Sequence, residues 1–308
     1  MSHVKSKKII WAIDAYGDVK VQASASDFAK SLGQHNDIQV VYIHGSSGFP
    51  VEKEKVAVRF GLSQAENQLK KIITKLEFKT RKKPIILAHG SDFVRAGVKT
   101  LLSYAKKVKA DAILVSTNAR VGFMRQALGS FAETLIIEST VPVMIVNPKA
   151  KVSSQPGTIL FPTDFSNPSW KAYRQVVDFA KATDAKIKIF HQYQGESQTI
   201  PTSVSYFRSD KWLKGDSLLD KNFQKIKSKL SKWLSWTKTQ NVKCDHVIKF
   251  GLKNIADATK EQAEKDRVWM IAMATVTGPI AATFLGSNAR WIVRSANGPV
   301  WVLYVKGK

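Results

Sequence analysis

The chain has 308 residues, 44% of them hydrophobic, which is enough for two ordinary cores, and no apolar run reaches the ~18 residues of a membrane span. Its one cysteine, Cys244, excludes an internal disulfide and a cysteine-ligated metal centre, and its six histidines show no HExxH spacing. The net charge of +24 is spread along the chain, with 23 Lys and Arg against 12 Asp and Glu in residues 1–150, so it is no basic tail. It suits either polyanion partners or plain solubility.

Strands and helices alternate in order. Lys8–Asp14 reads as a buried strand with an acidic end, Ser24–Leu32 as a helix stopped by Gly33, and Ile38–His44 as a second strand. Helical periodicity runs over Ser63–Leu76, followed by strand Pro84–His89, helix Phe93–Val108 and strand Asp111–Ser116. A helix over Phe131–Glu138 and a strand over Pro142–Val146 close the first half. The polar stretch Ala150–Gly157 reads as a linker, giving domains of 1–149 and 157–308 with the linker at about 150–156.

The order then repeats. Thr158–Asp164 matches Lys8–Asp14, Trp170–Thr183 the first helix, and Ala185–His191 the second strand, its terminal histidine included. His246–Phe250, Ile255–Lys265, Val268–Ala272, Asn288–Ser295 and Pro299–Val305 follow as strand, helix, strand, helix, strand. Leu128-Gly129-Ser130 corresponds to Leu285-Gly286-Ser287, each followed at equal distance by Pro-Val and an apolar strand. Such alternation predicts an α/β fold with parallel strands and helices on both faces of each sheet, and ligands beyond the strands' carboxyl ends.

The run ILFPTDFSNPS (159–169), the strand-end histidines His44 and His191, ADAILVST (110–117) and the two LGS…PV elements resemble the universal stress protein family in its tandem form. The resemblance implies two Rossmann-like domains of the adenine nucleotide alpha hydrolase-like kind, each a five-stranded parallel sheet of order 3-2-1-4-5. It also implies an intramolecular pseudo-dimer through Pro142–Val146 and Pro299–Val305, with a further homodimer as an open option. Family members commonly bind ATP, with Mg²⁺, through an acid after strand one, a backbone contact after strand two, and a G-x2-G-x9-G-S/T loop. The glycines let amides approach phosphate and the helix N-terminus adds a favourable dipole.

Anchored on its Gly-Ser, the first-half loop STNARVGFMRQALGS (116–130) puts small Ser116 and Ala119 at the first two glycine positions and keeps Gly129 and Ser130. Arg120 and Arg125 bring positive charge, Asp14 suits a ribose hydroxyl, and Gly45 falls at the adenine-contacting position. The second-half loop MATVTGPIAATFLGS (273–287) keeps Gly286 and Ser287 but offers bulky Met273 and Val276, Pro279, and no Lys or Arg. Asp164 and Gln192 are that half's remaining candidates, with the phosphate cradle lost. Without a ligand, each Gly-Ser is a loop-to-helix junction capped by Ser, and each Asp a turn-closing residue.

Ser217–Lys238 reads as a basic amphipathic helix whose apolar stripe packs on the sheet; the alternative is a surface for anionic partners, with Trp212, Trp233 and Trp236 stacking bases. Gly195–Lys214 reads as a loop over the second cleft. Neither a GxSxG elbow nor an intact GxxxxGK[ST] loop occurs. The expectation is a cytoplasmic, membrane-free stress-response binding protein with ATP in the first half, no metal site of its own, and at most slow, incidental hydrolysis. The alternatives are a cationic nucleic-acid or ribonucleoprotein module with degenerate nucleotide sites, and a hydrolase using the first cleft.

Overall fold

Apolar, β-branched strands buried on both faces need helices on both faces, and the chain supplies them in turn. The computed structural model describes residues 6–45, 51–90, 93–117, 129–193, 206–207, 221–251, 253–277 and 287–306. In the first half, β1 (Lys8–Ala12), α1 (Val19–Gly33), β2 (Asp37–Gly45), α2 (Val51–Lys75) and β3 (Ile85–His89) are followed by α3 (Val94–Lys107), β4 (Ala112–Ser116), α4 (Ser130–Glu138) and β5 (Val143–Val146). The second half holds β6 (Thr158–Pro162), α5 (Asn167–Thr183), β7 (Lys186–Tyr193), β8 (Tyr206–Phe207) and α6 (Lys221–Thr239). It continues with β9 (Cys244–Phe250), α7 (Ile255–Lys265), β10 (Met270–Thr277), α8 (Ser287–Ser295) and β11 (Val300–Lys306).

Helix starts carry the expected chemistry. The Asp18 carboxylate accepts from Lys20 N–H ahead of α1, and the Ser166 hydroxyl from Ser169 N–H ahead of α5, with Pro168 in its first turn. Asn254 caps α7 in the same way.

Among the described residues, one sheet of eleven strands runs β3-β2-β1-β4-β5-β11-β10-β6-β7-β9-β8. Each half therefore has the order 3-2-1-4-5, with β8 added antiparallel at the outer edge of the second. The halves join at β5 and β11, whose ladder is antiparallel and pairs Val300 with Ile145, Trp301 with Met144 and Val302 with Val143. Trp301 follows Pro299 by two positions, as Met144 follows Pro142, so this ladder sets equivalent residues of the repeat face to face, the signature of an approximate two-fold axis. Because β5 and β11 run in opposite senses, the carboxyl ends of the two parallel sets lie at opposite edges of the sheet.

Two apolar layers flank the sheet, and both cross the junction. One packs α1, α2, α5 and α6; the other packs α3, α4, α7 and α8. In the first, Phe28 of α1 lies 5.5 Å from the ring of Trp269 in the second half. Polar ties cross as well: Tyr304 Oη donates to Ile136 O at 2.7 Å, and Asn147 Nδ2 donates to Ala296 O at 2.9 Å. One lysine in a strand is buried: Lys188 of β7 sits 2.8 Å from the Asp266 carboxylate, which also accepts from Gln262 Nε2.

Candidate functional site

The acidic turn of the first half is built by a buried amide. Gln22, 3% exposed on α1, accepts from Asp14 N–H at 3.0 Å through Oε1 and donates Nε2 to Asp14 O at 2.8 Å. The Asp14 carboxylate is exposed, and its Oδ1 accepts from Tyr16 N–H at 3.0 Å. A Cβ on Gly17 would stand 3.0 Å from both Asp14 Oδ2 and Gln22 Nε2, so a side chain there would press on both groups of the turn.

These groups wall a cleft of about 260 Å³ at the carboxyl ends of β1 and β4, lined also by Tyr42, Ile43, Ser116, Gly129 and Phe131. Ser116 Oγ donates to Val21 O at 2.7 Å, fixing the end of β4 to α1. Gly129 is the N-cap of α4 (φ −60°, ψ 144°) and Ser130 its first residue, so the expected capping by the Ser130 hydroxyl is replaced by a bare glycine cap. Small side chains at Ser116 and Gly129 leave the helix N-terminus approachable. Tyr42 stands 6.0 Å from the exposed Tyr16 ring and 6.1 Å from His44. Burial, then the Asp14 charge and Tyr16, push the Tyr42 phenol up to about 12, so it stays protonated.

Asp14, Ser116 and Gly129 thus share one cleft, with Ser130 next to Gly129. Gly45 ends β2, opposite His89, and the wall is made instead by Tyr42 and Ile43 of the same strand. Ala119, Arg120 and Arg125 lie outside the described residues, as do Gly286, Pro279 and Trp212. Sequence reading missed Gln22, Tyr16 and Tyr42; the eight-residue spacing of Gln22 from Asp14 is a weak signal without a fold.

The second cleft, about 530 Å³, is lined by Thr163, Asp164, Ser169, His191, Gln192, Met273 and Ile292 among others. Asp164 Oδ1 accepts from Ser166 N–H at 2.9 Å and from Ser169 Oγ. Burial raises this carboxyl, but the bonds from Ser169 and Ser166 outweigh it and hold it below the ordinary aspartate value. His191 Nδ1 is bonded to Thr163 O at 2.7 Å. Burial lowers its pKa against the opposing pull of that carbonyl and of Asp164, so the ring is neutral at pH 7. The two strand-end histidines have diverged: His44 Nε2 lies 3.2 Å from where a Cβ on Gly61 of α2 would stand.

Gln192, a candidate of the second half, has its side chain buried. Nε2 donates to Gly251 O at 2.7 Å, and Oε1 has no partner among the described residues. Met273 and Val276 lie within β10, paired with Val302 and Val305 of β11. A strand therefore occupies the place where the first half begins its loop. Ser287 opens α8. Among the described residues, no three His, Cys, Asp or Glu are grouped to hold a metal, and no helix is long and apolar enough to cross a membrane.

The family model described as "Universal stress protein family" matches residues 5–147 and 156–304. No curated protein matches the chain. Among solved structures, a universal stress protein from Archaeoglobus fulgidus DSM 4304 aligns at 16% identity and TM-score 0.60, covering 96% of this chain and 98% of its own. A protein from Pseudomonas aeruginosa PAO1 titled as functionally unknown aligns at 12% identity and TM-score 0.54, covering 97% and 92%. A universal stress protein from Archaeoglobus fulgidus in complex with dAMP covers 48% of this chain and 97% of its own, at 17% identity and TM-score 0.35.

Proposed function

The chain belongs to the universal stress protein family, and we propose that it is a stress-response binding protein whose first cleft takes an adenine nucleotide, ATP with Mg²⁺ foremost. The observation that carries this is the convergence, in one cleft, of an exposed carboxylate at the end of β1, a small residue at the end of β4, and a glycine at the N-terminus of α4. The Asp14 carboxylate suits ribose hydroxyls, as acids at strand ends do in doubly wound sheets. The N-terminus of α4 suits phosphate through its dipole and unpaired N–H groups. Tyr42 and Tyr16 supply an aromatic side for the base. The role is binding, and a hydrolase would need steady turnover that Asp14→Ala abolishes.

Native mass spectrometry of the purified chain tests for a retained nucleotide, and calorimetry tests the residue. ATP affinity is expected to fall by about tenfold or more in Asp14→Ala, the loss of a hydrogen-bonded charged contact. Equal affinity in the two proteins would reject Asp14 as the ribose acid.

A second reading, a polyanion-binding module, draws on the net charge of +24. Of the aromatic side chains that would stack bases, Trp233 weighs against it, being buried against Phe165 and Tyr173.

A further inference from the structure

Where β10 and β11 begin, the second half carries a cleft of about 680 Å³, at the opposite end of β10 from the one that Asp164 lines. Its floor is apolar, with Val152, Val268, Ile271 and Pro299 among its residues. The repeat shows why it is open. Pro299 answers to Pro142, so Gly298 answers to Val141. Val141 is half-buried and packs on the layer of α3 and α4, whereas a Cβ on Gly298 would meet nothing within 4 Å. The first half carries an isopropyl group at the position where the second leaves space.

Three cations and one carboxylate ring this cleft: Lys151, Lys260, Arg267 and Glu264. The carboxylate is engaged within the protein, accepting from Asn297 Nδ2 at 2.7 Å and lying 4.0 Å from Lys260 Nζ. Lys151 and Arg267 have no ion pair among the described residues. The backbone fixes both positions. Lys151 N–H donates to Asn297 O at 2.8 Å, which pins the linker beside the turn ahead of β11. Arg267 takes the left-handed conformation (φ 47°) that closes α7, with its N–H on Glu264 O and Val268 N–H on Ala263 O. Those bonds occupy carbonyls at the end of α7 that would otherwise draw a cation. An apolar floor beneath an uncompensated cationic rim suits a ligand with an apolar body and an acidic group, which a guanidinium can grip with two parallel hydrogen bonds.

We infer that this cleft binds a small organic acid, a ring-sized apolar body bearing one carboxylate, with the body over Gly298 and the carboxylate between Lys151 and Arg267. The inference stands independently of nucleotide in the first cleft, which lies at strand carboxyl ends.

Calorimetry of the full chain tests it with cinnamate as the probe, cinnamamide as its uncharged counterpart and acetate as the anion without a body. Cinnamate is expected to bind at least about tenfold more tightly than either. Exposed charges contribute little singly, so Lys151→Gln and Arg267→Gln are combined, and cinnamate affinity is expected to fall by about tenfold in that double variant. Gly298→Val, at a backbone outside the left-handed region, restores the side chain of the first half and is expected to weaken cinnamate by about tenfold as well. Should Gly298→Val fail to fold, the double variant, whose two side chains are exposed, decides alone. Absence of cinnamate binding, cinnamamide or acetate bound as tightly, or affinity unmoved in the double variant would overturn the inference, as would a folded Gly298→Val that binds like wild type.

Discussion

Two hydrogen bonds from one buried amide hold the acidic turn of the first cleft, and neither can be replaced by an alkyl chain. Gln22→Leu leaves the N–H and C=O of Asp14 unmatched. Its expected cost is about 2 kcal/mol in urea unfolding, with nucleotide affinity falling alongside, because the carboxylate moves with its turn. His191 gives a pH signature. Its folded pKa lies below the ordinary value of ~6.5, so the unfolded chain binds the proton more readily. Stability is fully present above that ordinary value and declines as pH falls toward the depressed folded one. Urea midpoints at pH 7 and pH 5 should differ less in His191→Gln than in wild type. The acidic residues themselves were legible in the sequence, because each ends an apolar strand ahead of a helix. Gln22 was not, since nothing in a helical pattern says which polar residue turns inward. Lys188 hid for the same reason: a lysine in a strand reads as exposed until Asp266 is placed beside it.

At the level of elements, the helix α6 shows what its basic amphipathic pattern is for. Trp233 stacks on Tyr173 at 4.8 Å and meets Trp170 and Phe165 at 5.0 Å, so the stripe is core. Lys221, Lys225, Lys229 and Lys232 stay outside, while Lys227 is buried over the Phe223 ring. Trp233→Ala is expected to cost about 3–5 kcal/mol in chemical unfolding, far beyond an exposed stacking residue. The sequence placed the parallel strands and most helices because period and length agree there with the buried pattern. It misjudged where β10 stops. Residues 273–277 were compared with a glycine loop, yet Thr275, Val276 and Thr277 are β-branched and extend the β10 ladder to seven pairs with β11, where β4 has four with β5. The two-residue β8 carries no periodicity and was not visible at all.

For the whole molecule, a sheet that never breaks and two apolar layers that both pass across it predict one unfolding unit. Differential scanning calorimetry should give a calorimetric to van't Hoff enthalpy ratio of about one; two resolved transitions would mean that the halves unfold separately. Phe28→Ala, which removes a ring from Trp269 across the junction, should lower that single transition without splitting it. The charge belongs to this scale too. If polyanions bind, their affinity should drop steeply between 50 and 200 mM salt, whereas nucleotide held in a cleft should respond far less. The antiparallel meeting of β5 and β11 has a further result for anything fixed to a support. A chain caught by the occupant of one crevice turns its other mouth away from that support, into open solution. One polypeptide can thereby couple two tethered ligands back to back, and a linker too short to wrap round the slab can never close on both mouths of the same molecule.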